Sequence, residues 1–443
     1  MDIQLSDHFT YQKLLRFTAP SIVMLIFISI YSIVDGLFVS NFVGSTAFAA
    51  VGVVFPFSMV LGAFGFMVGT GGSALVAKTL GERKKAQANK IFSLIVYSTL
   101  IIGVFLGLCG MLLLKPLLVL LNTEPLLTQD CLTYGYIIIP AISLLTLQFL
   151  FQSFLIAAEK PKLGLLITVL AGATNVLLDF IFIAIFHWGI AGAAWATVIS
   201  HAFGGLTPLF YFIFPNSSLL QLGKTKFKWA PLIQTYTNGL SEFISHISAS
   251  FVGSLYNYQL LRIMGESGVV AYSIIHHIHF IFLAAFLGYN SGCAPLISYH
   301  FGAKNYQELK NLFKKSLKLI CCTGIILLLL AELLAPSLAI LFVSYDQNLL
   351  NLTTHGLRIY AISFLLVGFN IFASAFFTAL NNGVVSAIIS TLRLFVFECL
   401  CVVVLPIFFG VNGIWAAIIV AQFLSLIISV YCLVAFKGRF KYA

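Results

Sequence analysis

The chain has 443 residues, of which 60% are hydrophobic and only 9% are charged, and its formal net charge is +10 at pH 7. Soluble domains carry about a quarter of charged residues, and no water-soluble fold of this length could bury so much apolar side chain. The composition therefore excludes a soluble protein and predicts an integral membrane protein.

The chain opens with MDIQLSDHFTYQKLLRF, which lacks the apolar core and cleavage site of a signal peptide, so we expect the first helix to be retained. About twelve apolar segments follow, each long enough for the ~20 helical residues that cross a hydrocarbon core of ~30 Å. In chain order these predicted membrane helices cover 14–41, 47–77, 91–114, 130–157, 164–186, 190–214, 234–262, 267–298, 314–343, 353–380, 384–408 and 411–436.

The basic residues fall almost entirely on one side of this predicted arrangement. If the N-terminus is cytoplasmic, all but four of the 24 Lys and Arg residues lie on the cytoplasmic side, the exceptions being Lys115, Arg262, Arg358 and Arg393. Cytoplasmic loops carry an excess of Lys and Arg, so both termini are expected to be cytoplasmic. The positive charge then sets topology and does not indicate a nucleic-acid partner.

An internal repeat relates the two halves of the chain at an offset of 221 residues without a gap. The glycine pairs at this offset are Gly44 with Gly265, Gly71 with Gly292, Gly81 with Gly302, Gly189 with Gly410 and Gly192 with Gly413. Six helices per half is an even number, which predicts parallel repeats related by an axis along the membrane normal. We expect a first lobe at 1–221 and a second lobe at 222–443.

Five acidic residues lie inside the predicted membrane helices. An Asp at the centre of a membrane helix costs roughly 2.5–3.5 kcal/mol, so such residues are candidates for ion pathways, although a satisfied hydrogen bond or an interfacial position is the alternative. They are Asp35, Asp179, Glu242, Glu332 and Glu398.

One group of polar residues in the first lobe shares approximately one depth in the membrane. Asp35 lies in the first predicted helix, Asn175 and Asp179 are one turn apart in the fifth, and Thr197 lies in the sixth. Hard oxygen donors of this kind suit a small cation or can share a proton. Burial and a neighbouring negative charge both favour the protonated carboxyl group. The second lobe has Tyr256, Val396 and Leu400 in place of Asp35, Asn175 and Asp179, so coupling chemistry is expected in the first lobe.

The second lobe has its own polar residues. Glu242 and His246 are one turn apart in the seventh predicted helix and could contact a cationic substrate or form a second protonatable site. Arg393 and Glu398 could compensate each other's charge, and Glu332 has no evident partner.

Several other patterns are weaker. IIHHIHF at 274–280 places His276 and His279 on one helical face, which favours histidines that line a cavity or are hydrogen-bonded over a metal site, because no carboxylate or Cys is nearby. Pro20 in the first helix predicts a kink, since proline removes a helical hydrogen bond. There is no Walker loop and no nucleophile–base or metal constellation, so neither an ATP-driven pump nor an enzyme is expected, and no cofactor.

Together these features resemble the multidrug and toxic compound extrusion (MATE) family. The residues that carry the resemblance are Pro20, VDGLFVSNFVG at 34–44, NVLLD at 175–179 and GIAGAAWATVIS at 189–200. The resemblance covers essentially the whole chain. It implies an all-α membrane protein with twelve transmembrane helices in two six-helix lobes, related by pseudo-two-fold symmetry and arranged as a V.

The resemblance also implies export of cationic, amphipathic compounds in exchange for H⁺ or Na⁺. Asp35, Asn175, Asp179 and Thr197 match the coupling-ion site of the branches with a first-lobe site, and Pro20 matches their helix-bending proline. Another branch uses acidic residues of helices 7 and 10. Helix 10 has no carboxylate here, so only Glu242 of helix 7 keeps that alternative open.

The alternative function within the same superfamily is a lipid-linked oligosaccharide flippase, which would favour a strongly cationic cavity. Only Arg393 is clearly intramembrane here, so the antiporter is favoured. A channel and a membrane-embedded enzyme are weaker alternatives. We expect a monomer in the plasma membrane of a bacterium or archaeon, in contact with lipid and small organic substrates.

Overall fold

A computed structural model of the chain describes residues 3–343 and 346–442, and all regular elements in those ranges are helices. The helices of the first lobe are α1 at Tyr11–Phe42, α2 at Ser45–Gly81, α3 at Lys85–Leu120, α4 at Pro125–Ala157, α5 at Pro161–Ile185 and α6 at Gly189–Ile213. A 3₁₀ turn at Ile139–Ala141 interrupts α4, and α5 ends in a π-helical segment, Phe180–Ile185.

The second lobe repeats this order after a connection on the side of the termini. Its helices are α7 at Trp229–Met264, α8 at Glu266–Gly302, α9 at Tyr306–Val343, α10 at Gln347–Ala361 and Phe364–Ala379, and α11 and α12, which are the parts of Gly383–Phe440 before and after Gly410. The two parts of α10 are bent by 49° relative to each other. Gly410 separates α11 from α12 because its backbone is non-helical, with a φ of 56°.

The prediction of twelve helices in an all-α membrane fold is confirmed. In the described ranges nine helices are long and apolar enough to cross a membrane, or ten if the bent α10 is one span. The run Gly383–Phe440 counts once in that number although Gly410 interrupts it, and α7 is absent from the number because it carries many polar residues. The start of α9 was predicted at 314 but lies at Tyr306. The first two turns carry polar residues on their surface, so they do not look like a membrane segment, yet they bury Leu309 and Leu312.

The backbone reproduces the internal repeat. Helices α2 and α8 each have 37 residues and begin 221 positions apart. Residues with positive φ, a region that L-residues rarely adopt, also recur at this offset. The pairs are Gly44 with Gly265, Gly189 with Gly410, and Arg83 with Lys304. The boundary between the lobes at 221 and 222 stays a prediction.

The two lobes meet on the side of the chain termini and diverge from there as the arms of a V. Both ends of the described chain contact the beginning of α9: Lys315 donates a hydrogen bond to the carbonyl oxygen of Phe9, and the ring of Tyr442 lies 5.0 Å from that of Phe313. The closest backbone contacts between the lobes, at the glycines of α2, α7 and α8, lie in the same halves of those helices.

Candidate ion-binding site and the cleft between the lobes

The structure brings Asp35 and Asp179 together inside the first lobe. Asp35 lies on α1, Asp179 is the last residue of α5 before its π-helical segment and is fully buried, and the two carboxyl groups interact directly. One oxygen of Asp35 and both oxygens of Asp179 are buried without a well-formed hydrogen bond. Within the described residues, neither carboxyl group forms an ion pair with a Lys or Arg.

Two carboxylates in this position cannot both stay charged without a cation between them. Like charges at close range repel, and burial disfavours the charged form of each group. Sharing a proton or binding a small cation relieves the repulsion and lowers the cost of burial. The pair therefore has the chemistry of a site that is loaded and unloaded with one positive charge.

The other two predicted members lie at the same end of the lobe. Asn175 is one turn before Asp179 on α5 and is buried, and its side-chain nitrogen has no hydrogen-bond partner. The hydroxyl of Thr197 on α6 donates to the carbonyl oxygen of Ala193 at 3.0 Å, which leaves its lone pairs for another ligand. Both residues can supply neutral oxygen ligands beside the carboxyl pair.

Tyr134 is a further member that the sequence did not single out. Its side chain on α4 is buried and interacts with the hydroxyl of Thr197. It also interacts electrostatically with Asp35 and Asp179. Tyr31, one turn before Asp35 on α1, also interacts electrostatically with Asp35.

Close packing of α5 on α1 and α6 fixes this group. A Cβ atom on Gly172 would lie 2.7 Å from the ring of Phe27, so the absence of a side chain lets α5 approach α1. The hydroxyl of Ser200 on α6 donates to the carbonyl oxygen of Ala171 on α5 at 2.8 Å. These contacts hold the carboxyl group of α1 beside that of α5.

Pro20 lies on the same helix as Asp35 but in its other half. The helix continues through Pro20, and this half of α1 packs closely on α8 of the second lobe. A Cβ atom on Gly288 would lie 2.5 Å from the Cα atom of Ile22, and one on Gly292 would lie 3.0 Å from that of Thr18. Helix α1 thus links the carboxyl pair to the interface between the lobes, and bending at Pro20 stays a prediction.

The charged residues of the second lobe form a separate group. Arg393 and Glu398 are buried in the π-helical segment Thr391–Glu398 of α11, and Arg393 interacts electrostatically with both Glu398 and Glu242. Glu332, for which the sequence offered no partner, pairs with Arg358 of α10 at 3.8 Å on the surface.

His246 lies where the two lobes meet. Its ring stacks on that of Phe66 from α2, with 4.4 Å between the ring centroids and 18° between the planes. The structure therefore places Glu242 and His246 at the cleft and not in the carboxyl pair of the first lobe.

The comparison with known proteins identifies the family. A family model described as MatE matches residues 20–181 and again residues 243–404, which together make up more than half of the chain. The chain belongs to the MATE family. One match in each half of this MATE chain agrees with the internal repeat, and the predicted resemblance is confirmed.

The MATE chain is similar over nearly its whole length to proteins of known name. It is 23% identical over 439 residues to the multidrug export protein MepA of Staphylococcus haemolyticus (strain JCSC1435), covering 97% of this chain and 94% of that protein. A solved structure described as the outward-facing conformation of a multidrug resistance MATE family transporter of the MOP superfamily has a TM-score of 0.93 at 21% identity. It covers 100% of this chain and 99% of that one. A MATE structure in complex with MaL6 has the same TM-score and identity, with 98% of each chain covered. These structural likenesses show the two-lobed fold.

Proposed function

We propose that this MATE protein is a secondary active antiporter that exports cationic or amphipathic organic compounds in exchange for H⁺ or Na⁺. The observation that carries the proposal is the buried contact of Asp35 with Asp179 in the absence of an ion-paired Lys or Arg among the described residues. Membership of the family and the likeness to a multidrug export protein support it.

The carboxyl pair would couple ion movement to the lobes through α1. Loading the pair with one cation removes the repulsion between Asp35 and Asp179 and changes how closely α1 and α5 can approach. The other half of α1, around Pro20, packs on α8, so a bend there would reach the lobe interface. The ion must bind one conformation more tightly than the other, because equal affinity would shift no population.

The membrane potential can drive efflux when more positive charge enters than leaves. Each positive charge that moves inward is worth ~2.3 kcal/mol per 100 mV of membrane potential, and each positive charge exported costs the same amount. Since a factor of ten in concentration corresponds to ~1.4 kcal/mol, each charge that enters in excess of the charge exported supports a gradient of tens-fold.

The proposed orientation places both termini in the cytoplasm of a bacterium or archaeon. The excess of Lys and Arg in the loops on the side of the termini supports this topology. With that orientation the structure is closed toward the cytoplasm and open outward, the state in which the pair would exchange its ion with the outside. We expect the protein to act as a monomer, since one of its buried core clusters already joins the two lobes within a single chain.

The test is efflux of a fluorescent lipophilic cation from proteoliposomes under a pH gradient and, separately, a sodium gradient. Uphill efflux is expected under one of the two gradients and is expected to be lost in Asp35→Asn. Glu124→Gln is the matched control, since it neutralises an exposed carboxylate in the same lobe and should transport normally. Normal pumping by Asp35→Asn under both gradients would refute coupling at this pair.

A further inference from the structure

Three aromatic rings form a continuous stack at the base of the cleft. Phe66 of α2 lies between Phe149 of α4 and His246 of α7. The centroids of Phe66 and Phe149 are 3.8 Å apart with 21° between the planes, and those of Phe66 and His246 are 4.4 Å apart with 18° between the planes. We call these three rings the aromatic stack.

The two halves of the aromatic stack differ in how firmly they are held. Phe66 and Phe149 belong to one lobe, and α2 contacts α4 at the backbone beside them: a Cβ atom on Gly65 would lie 2.6 Å from the carbonyl oxygen of Thr146. Phe66 and His246 belong to different lobes. When the lobes separate, the first pair stays intact and the second pair opens.

The aromatic stack is the layer of side chains on the cleft side of the tightest contact between α2 and α7. In that contact Gly239 leaves no room for a side chain against the carbonyl oxygen of Met67, and Gly71 leaves none against Thr235. His246 is seven residues beyond Gly239, or about 10 Å along α7. Phe66 and His246 are both partly exposed, and their facing surfaces become accessible only when the two rings separate.

An acidic side chain lies beside the aromatic stack. Glu242 is one turn before His246 on the same face of α7 and is partly exposed. It interacts electrostatically with Arg393, which also interacts with Glu398. Two carboxyl groups around one guanidinium leave room for one more positive charge, and Glu242 is the member next to the stack.

We propose that the space between Phe66 and His246 is a slot for a flat aromatic ring of the exported cation, and that these two side chains set a preference for planar over non-planar cations. In the closed arrangement the protein's own rings fill the slot. A substrate ring inserts when the lobes move the two rings to about 7–8 Å, twice the optimal contact distance of aromatic carbons. Glu242 receives the positive charge of the inserted molecule. The inference rests on the proposed export function and names the substrate class of the cleft.

Shape selectivity follows from the geometry of stacking. A planar polycyclic cation gains contact with both ring faces, whereas a cation with rings arranged around a tetrahedral centre meets the slot only with an edge. Aromatic pairs contribute beyond the area they bury. Loss of one face should therefore weaken binding of the planar cation about two- to tenfold relative to the non-planar one.

The experiment compares equilibrium binding of ethidium, which is planar, and tetraphenylphosphonium, which is not, to the purified full chain in detergent. The variants are His246→Leu, His246→Phe and Phe66→Leu. The control is Phe251→Leu, which removes an exposed ring from the same helix outside the stack. His246→Leu and Phe66→Leu should lower the preference for ethidium about two- to tenfold, and His246→Phe and Phe251→Leu should keep it.

Three results would each contradict the proposed slot. They are an equal weakening of ethidium and tetraphenylphosphonium binding, an equal loss of the ethidium preference in His246→Phe and His246→Leu, and no ethidium binding by the unaltered chain. If Phe66→Leu does not fold, the two His246 variants decide the question between them. Binding is measured without an ion gradient, so its outcome is separate from that of antiport. Normal selectivity of binding together with no efflux would count against the proposed function and leave the slot standing.

Discussion

The Tyr134 hydroxyl interacts with that of Thr197 and lies near the two aspartates. In Tyr134→Phe the ring stays and this polar contact is lost. Since a hydrogen bond between neutral groups contributes about 0.5–1.5 kcal/mol, the affinity for the coupling ion should fall by about two- to tenfold. The measurement is the ion concentration that gives half-maximal efflux in proteoliposomes.

Tyr136→Phe is the control for that experiment, because Tyr136 is exposed two residues further along α4. Its half-maximal ion concentration should equal that of the unaltered chain. An unchanged value in Tyr134→Phe would remove Tyr134 from the ion site.

The sequence predicts a functional role for some residues of these sites and not for others. Asp35 and Asp179 could be identified because carboxylates are rare and costly in apolar helices. Tyr134 and Phe66 could not be identified in this way, because the chain has 17 Tyr and 43 Phe residues and nothing in the sequence distinguishes these two from the others. Their importance depends on which side chain of another helix they face, and helix rotation about its axis is set by tertiary packing.

Between α10 and α11, a chain of buried hydroxyl groups joins the two helices. Ser386 of α11 lies 2.7 Å from the hydroxyl of Thr378 and 2.9 Å from that of Ser374, which in turn lies 2.8 Å from Ser390. Hydrogen bonds of this kind between membrane helices each contribute modestly, on the order of 1 kcal/mol. The hydroxyl of Ser386 lies in the middle of this row of hydroxyl groups and contacts two of them.

Ser386→Ala should therefore destabilise the protein by about 1–2 kcal/mol, since it removes two contacts between buried hydroxyl groups. The measurement is the midpoint of thermal unfolding in detergent. Ser254→Ala, which removes an exposed hydroxyl on α7, should leave the midpoint unchanged. An equal midpoint for both variants would show that these buried hydroxyl groups do not stabilise the packing of α10 on α11.

The helices were predicted well where apolar runs are long. They were predicted less well where a helix bends or becomes π-helical. The bend in α10 and the π-helical segment Thr391–Glu398 have no signature in hydrophobic periodicity, because apolar residues continue through both. The polar α7 was still predicted as a helix because its apolar residues recur between the Ser, Thr and Asn residues of 234–262.

The whole molecule is organised about the crossing of α2 and α8. Gly81 leaves no room for a side chain against the carbonyl oxygen of Tyr299, and Gly302 leaves none against that of Lys78. Both the glycines and their partners are 221 residues apart, so the contact is the same on either side of the pseudo-two-fold axis. The repeat predicted the glycine pair from the sequence, but the contact between its members became visible only in the structure.

Gly302→Ala should push the two lobes apart on the side of the termini, because its Cβ atom would meet backbone and not a flexible side chain. Spin labels at positions 162 and 314, which are exposed on that side, should show longer distances in pulsed EPR. Gly438→Ala is the control, since nothing lies within 4 Å of its Cβ position. Identical distance distributions in both variants would contradict a closure that depends on this crossing.

If the contact of Asp35 with Asp179 holds the coupling ion, as we propose, the purified protein should release that ion when a substrate binds. A lipophilic cation is added to the chain in lightly buffered detergent, and released protons and sodium ions are counted per molecule. The unaltered chain is expected to release one of the two ions, and the double variant Asp35→Asn with Asp179→Asn is expected to release neither. Equal release by the double variant would contradict the claim and would move the search to Glu242 and the second lobe.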